Sequence, residues 1–247
     1  MSPLFHRLDS SFGDKRLICF PFAGGYSSSF RPLNSWLKDD CQMVVAEPPG
    51  HGTNQMPLVE NFERLADLYF DALLPMLDEP FVLFGHSMGG LVAFRLAQLL
   101  EMHEINPKAV IISAVQPPDH KRKKLSRLDD DAFLDYVIKL GGIPSELARE
   151  REVLNYFLPA FRADFKALES YKPVNVPLTQ TPVHIFNGDL DQECMNDAYG
   201  WKDWANQVEF HTFKGGHMFL LSETERVTQT MRSIISEKAA YREKVRS

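Results

Sequence analysis

Phe81-Val82-Leu83-Phe84-Gly85-His86-Ser87-Met88-Gly89-Gly90 decides the fold. Its first four residues are an unbroken apolar run, and apolar residues at helical spacing (Leu91, Phe94, Leu99) begin just after its end. Between them stands Gly-x-Ser-x-Gly. A serine held in a tight turn between a buried strand and a helix takes a strained backbone, and side chains at positions 85 and 89 would collide with the neighbouring strand and helix. The hydroxyl then projects at the sheet edge, and the Met88 amide faces outward at a helix N-terminus, where a developing oxyanion is favoured. The five-residue pattern alone also fits a plain Gly-rich turn. Its context of strand before and helix after makes Ser87 a candidate nucleophile.

The same alternation extends along the chain. Leu17–Phe20, Met43–Ala46, Ala109–Ile112 and Val183–Phe186 are further continuous apolar runs, as suits strands covered on both faces. Val208–Phe213 alternates and predicts an edge strand. Phe62, Leu65, Ala66, Tyr69, Leu73 and Leu77 define one helical face, and Val227, Met231, Ile234 and Ile235 a C-terminal one. Strands alternating with helices predict an α/β fold with a mostly parallel sheet, in which right-handed crossovers bring the loops after the strands to one edge. From about Pro117 to Pro177 no strand is legible; this stretch reads as a helical insertion acting as a lid, inside one domain of residues 1–247.

A nucleophile elbow calls for an acid and then a histidine, each in a loop after a later strand. Asn187-Gly188-Asp189-Leu190-Asp191 follows the fifth long run, and Lys214-Gly215-Gly216-His217-Met218 the sixth. Ser87, Asp191 and His217 then stand in the chain order of an α/β-hydrolase triad. Asp189 competes for the acid. Asp191 is favoured because it lies further into the loop, and Asp189 suits tying the turn. The two carboxylates could instead bind a metal, but no nearby histidine or third carboxylate completes a site. In Phe20-Pro21-Phe22-Ala23-Gly24-Gly25 the glycine spacing fits neither common phosphate-binding loop. In a hydrolase this loop supplies the second oxyanion amide, from Ala23 or Phe22, with Ala23 ahead. His51, in Pro48-Pro49-Gly50-His51-Gly52, precedes the serine and so does not fit the catalytic order; its segment reads as a rigid turn that could border the site.

Composition bounds the remaining possibilities. The chain has 247 residues, 44 % hydrophobic and 24 % charged, with 18 Phe, which argues against disorder. A net charge of −6 makes non-specific binding to nucleic acid or to anionic membranes a poor reading. The N-terminus carries Arg7, Asp9 and Asp14 where a signal peptide needs its apolar stretch. Cys19, Cys41 and Cys194 are odd in number and widely spaced, as for free thiols in a reducing compartment. A cytoplasmic monomer is expected. The run Lys121–Lys124 is either a solvated surface or a docking patch for an acidic partner. Trp201 and Trp204 read as packing residues, and Phe157, Phe161 and Phe165 as one helical face of the insertion, against an acyl chain or the insertion's own core.

With these segments assembled, the chain resembles the type II (external) thioesterases that accompany nonribosomal peptide and polyketide synthetases. The resemblance rests on Cys19–Gly25, Pro48–Gly52, Gly85–Gly90 and Gly215–Phe219, and on Gln116-Pro117-Pro118 after the fourth long run. It implies hydrolysis of short or misprimed acyl groups from the phosphopantetheine arm of carrier domains. Ser87, Asp191 and His217 would be the triad and the Ala23 and Met88 amides the oxyanion hole. It also implies that no metal, nucleotide or organic cofactor is needed, the phosphopantetheine belonging to the partner. A general carboxylesterase or lipase with the same triad is the alternative, and it would prefer free oxygen esters.

Overall fold

The computed structural model describes residues 2–9, 15–144 and 146–237. Seven strands form one sheet: β1 (Phe5–Arg7), β2 (Arg16–Phe20), β3 (Gln42–Ala46), β4 (Phe81–His86), β5 (Ala109–Ser113), β6 (Val183–Gly188) and β7 (Val208–Phe213). Their order is β1-β3-β2-β4-β5-β6-β7, every pair parallel except β1 with β3. The six runs read from the sequence are six of these strands. β1 was not legible: three residues are too few to show a period, and of them only Phe5 is buried. β7 is the edge strand its alternation predicts, half-buried at Val208, Phe210 and His211 and fully buried only at Phe213.

Helices cover both faces, as the double-sided apolar strands require. α1 (Arg31–Leu37) and α8 (Thr224–Ser236) lie on one face, where Leu33, Leu37, Val227 and Met231 share a cluster with Leu17, Met43 and Phe84. α2 (Phe62–Leu73) and α3 (Met88–Met102) cover the other, joining Tyr69, Leu91 and Phe94 to Ile18, Leu83 and Ile112. The α2 N-terminus is capped by Asn61, whose side chain accepts the Arg64 amide at 2.9 Å. Its apolar face ends sooner than the Leu77 spacing predicts, because Pro75 offers no amide to continue the helix and a single 3₁₀ turn, Leu74–Met76, follows.

Between β5 and β6 the chain makes α4 (Asp130–Leu140) and α5 (Arg151–Ser170), with no strand among the described residues 117–177. These helices have a cluster of their own, built on Phe133, Leu134, Val137, Leu154, Phe161 and Phe165. The short helices α6 (Gln192–Asp197) and α7 (Phe219–Ser222) follow β6 and β7. Because the strands are parallel, the C-terminal ends of β2 to β7 lie along one sheet edge. Ser87, the 189–191 loop, the 214–217 loop, the 21–25 loop and the insertion all leave from that edge. Among the described residues no helix is long and apolar enough to cross a membrane.

Candidate active site

Ser87 joins β4 to α3 with φ 54° and ψ −122°, a strained conformation for a residue other than glycine. Neighbouring structure holds it there. The Ser87 amide donates to the Ser113 carbonyl at 2.7 Å, and the Gly90 amide closes back on the Ser87 carbonyl at 2.8 Å. A Cβ at Gly85 would strike the Gly89 carbonyl, and one at Gly89 would strike the Phe20 carbonyl on β2. Gly89→Ala is therefore expected to destabilise the fold by about 2 kcal/mol or more, since backbone rather than a movable side chain must give way. Urea unfolding checks this, and a variant as stable as wild type would contradict it.

Ser87 Oγ lies 3.0 Å from His217 Nε2, and His217 Nδ1 lies 2.8 Å from Asp191 Oδ2. The carboxylate can only accept, so Nδ1 carries the proton; in the neutral ring Nε2 is then bare and accepts from the serine hydroxyl. Of the two glycines before the histidine, Gly215 is required by its φ of 115°, while at Gly216 nothing stands within 4 Å of a Cβ and a side chain would have room. The two candidate acids separate by contact. Asp191 meets the imidazole, while Asp189 Oδ1 accepts the Gly215 amide at 2.9 Å and ties the two loops together. Cys194 Sγ, three residues along the chain, also stands within 4.8 Å of the Asp191 and His217 ligand atoms. Burial keeps that thiol protonated.

Burial alone would raise the Asp191 pKa, but hydrogen bonds from His217 and from Cys194, with the nearby His217 charge, outweigh it and leave it lowered. A carboxyl with a lowered folded pKa stabilises above its unfolded value and loses that contribution as pH falls through the folded one. The stability advantage of wild type over Asp191→Asn is therefore expected to be full above about pH 5 and to fade below about pH 4. Urea titrations of both proteins across that range test it, and an advantage constant with pH would contradict it.

Behind His217 stands His86, fully buried, its ring 5.5 Å from the His217 ring and packed edge-on against Phe22 and Phe219. Its Nδ1 meets Ser113 Oγ at 2.8 Å. Burial and the neighbouring His217 push its pKa well down, so the ring backs His217 without adding a charge.

Met88 is the first residue of α3, where a helix leaves its amides without intrahelical partners. Ala23 stands in the loop after β2, packed against both the sheet core and the insertion cluster. That loop turns at Gly24 (φ 79°), and the Gly25 amide closes on the Phe22 carbonyl at 2.8 Å. Two neighbouring groups hold the surroundings. Glu47, 1 % exposed, accepts the Ser27 amide at 2.8 Å and the Thr53 amide at 2.9 Å. Burial would raise its pKa, but these donors leave it lowered. His51 is buried beside Asp164 of α5, and Asp164 Oδ2 accepts the Gly24 amide at 2.7 Å. Glu47 and Asp164 were missed by sequence reasoning. An acidic residue directly after the buried Met43–Ala46 run was the available signal for Glu47; nothing in the local sequence marks Asp164.

The other segments singled out in the sequence are engaged within the fold. Arg122 turns inward to Gln116 Oε1 at 2.9 Å and to the Gln116 and Pro117 carbonyls at 3.1 Å. Lys123 pairs with Glu193, and Lys124 donates to the Glu169 carbonyl. Trp201 and Trp204 pack edge-on against Phe94, their indole N–H groups on the Val115 carbonyl and on Asp119. Phe161 and Phe165 are buried in the insertion cluster, while Phe157 on the same spacing is exposed. The three cysteines are free and buried.

Comparison with known proteins gives the family. A family profile described as a thioesterase domain matches residues 15–237. A probable anguibactin biosynthesis thioesterase of Vibrio anguillarum is 31 % identical, the alignment covering 97 % of this chain and 100 % of that one. A probable cadicidin biosynthesis thioesterase of Streptomyces griseus is also 31 % identical, over 91 % of this chain; here the chain spans 64 % of the relative's length. Among solved structures, the type II thioesterase BorB from the borrelidin biosynthetic cluster superposes with a TM-score of 0.88 at 27 % identity, covering 95 % of this chain and 98 % of its own. YbtT, a type II thioesterase from the yersiniabactin pathway, gives 0.84 at 30 % identity, covering 94 % and 98 %. The chain belongs to the thioesterase-domain family, as a hydrolase of the type II kind found in nonribosomal-peptide and polyketide pathways.

Proposed function

We propose that the protein hydrolyses short or misprimed acyl groups from the phosphopantetheine arm of carrier domains through an acyl-enzyme on Ser87. The observation that carries this reading is the relay from Ser87 Oγ to His217 Nε2 at 3.0 Å and from His217 Nδ1 to Asp191 at 2.8 Å, in a chain of this family. As Oγ attacks the thioester carbonyl, His217 Nε2 takes the hydroxyl proton, and Asp191 holds the ring in its tautomer and offsets the imidazolium charge. The Ala23 and Met88 amides hold the tetrahedral oxyanion, each worth about 3 kcal/mol if it matches other oxyanion donors. Collapse breaks the C–S bond, and the pantetheine thiolate leaves with the proton from His217. Water, deprotonated by the same nitrogen, then attacks the ester carbonyl, and the acid and the Ser87 hydroxyl are released.

The insertion, in this reading, is the lid that shapes the acyl and pantetheine channel inside a single domain. Its α4–α5 link supports that role: a Cβ at Gly142 would stand 3.0 Å from the Phe22 ring and 3.6 Å from the end of Met218, the residue next to His217. Docking of the carrier through Lys121–Lys124 is not favoured, since Arg122, Lys123 and Lys124 are held within the chain. The protein would act as a cytoplasmic monomer on a protein-borne substrate, without nucleic acid, membrane or cofactor.

Acid release from an acetyl-loaded peptidyl carrier protein, compared with acetyl-CoA and a nitrophenyl ester, tests the substrate class. The expected order places the carrier-bound acyl group first in kcat/KM. A preference for the nitrophenyl ester would keep the triad and replace the substrate with free esters.

A further inference from the structure

We propose that Asp164, on helix α5 of the insertion, is a positioning residue for the oxyanion hole, a role that rests on the catalytic reading given above. One of its oxygens, Oδ2, accepts the Gly24 amide at 2.7 Å and stands 3.1 Å from His51 Nε2. The carboxylate thereby joins three segments far apart in the chain: the loop that carries Ala23, the turn after β3 and the insertion.

The contact is built rather than incidental. Asp164 is 3 % exposed and His51 6 %, so a bare carboxylate here would be costly without a compensating charge. His51 supplies it. Its Nδ1 faces the Pro49 carbonyl at 3.0 Å and its Nε2 lies at ion-pair distance from the carboxylate, so both sides of the ring favour the charged form. Burial opposes that charge, but Asp164, the Pro49 carbonyl and Glu47 outweigh it and raise the His51 pKa.

The Gly24 amide is adjacent to the one proposed to bind the oxyanion. The Gly24 peptide meets the Phe22–Ala23 peptide at the Ala23 Cα, so Asp164 holds one side of Ala23. The Gly25 amide, on the Phe22 carbonyl at 2.8 Å, holds the plane that carries the Ala23 N–H, and together they restrict where that N–H points. The Phe161 ring, one helical turn before Asp164, packs so closely on Gly24 that any Cβ there would strike it. The C-terminal half of α5 is anchored again at its far end, where Ser170 Oγ accepts the Phe62 amide at 2.9 Å and the Tyr171 and Phe62 rings meet at 4.6 Å. This half of the insertion is thus a fixed wall of the site.

The test uses a boronic acid, whose tetrahedral adduct with Ser87 places a charged oxygen in the hole, alongside the carboxylic acid product, which does not. Asp164→Ala is expected to lower kcat and boronate affinity together, by about 10²-fold as for a misplaced catalytic group, with KM and product affinity within about twofold. Asp164→Asn keeps an acceptor for the Gly24 amide and is expected to recover most of the loss. Should Asp164→Ala fail to fold, the apolar pair His51→Phe with Asp164→Leu fills the space without charge or acceptor and is expected to show the same selective loss. Unchanged kcat and boronate affinity, or equal losses of boronate and product binding, would overturn the proposal. If wild type binds the boronate no better than Ser87→Ala does, the catalytic reading itself fails, and that result is distinct from failure of Asp164 alone.

Discussion

Ser87→Ala is expected to lower kcat/KM for a carrier-bound thioester by about 10⁴-fold or more, with the unfolding midpoint close to that of wild type. The size follows from what the substitution removes. Without Oγ there is no acyl-enzyme, and the proton path into His217 Nε2 starts from nothing. What would survive is the proposed oxyanion hole and substrate binding, which elsewhere retain only a small part of the rate. The stability expectation follows from the elbow. The φ of 54° is imposed by the Ser113 and Gly90 hydrogen bonds and by the close approach of Gly89 to β2, none of which involves the hydroxyl. Turnover by the purified variant and a denaturant melt check both halves. Wild-type turnover would remove Ser87 from the mechanism, and a collapsed melt would leave the loss uninterpretable as chemistry.

Asp191→Asn should cost nearly as much, about 10⁴-fold in kcat, because an amide facing Nδ1 can stabilise the wrong tautomer and can no longer offset the imidazolium. Asp189→Asn is the informative contrast. That side chain accepts the Gly215 amide rather than an imidazole proton, and an asparagine oxygen can still accept it. It is expected to keep kcat within about tenfold, with a stability loss of order 1 kcal/mol from exchanging a charged acceptor for a neutral one. Steady-state kinetics of the two variants side by side separate the roles. Equal losses in kcat would mean that the loop, not the Asp191 contact, governs the rate.

Much of this was readable in the chain because it depends on local pattern. The six long strands announced themselves as apolar runs, and the elbow needs its two glycines for reasons a few residues long. His217 was placed by chain order and by the Gly215-Gly216 turn. What escaped depends on contacts between distant segments. Gly24 and Asp164 are 140 residues apart, and an aspartate within a helical segment reads as a solvated surface residue until the fold buries it. His51 was set aside for standing before the serine, a rule about triads that says nothing of a residue supporting the opposite wall. The Lys121–Lys124 run looked like one basic patch, yet in the fold Arg122 turns inward to backbone carbonyls while Lys123 stays outside with Glu193. Phe157, Phe161 and Phe165 share a spacing, but the insertion cluster reaches only the last two.

The most direct test of the central claim is the intact mass of the protein after rapid mixing with an acetyl-loaded carrier domain and an acid quench, followed by peptide mapping. The account predicts a transient acetyl group on the peptide containing Ser87, absent in Ser87→Ala. Continued release of acetate with no acyl group on Ser87, or with the group on another residue, would contradict it.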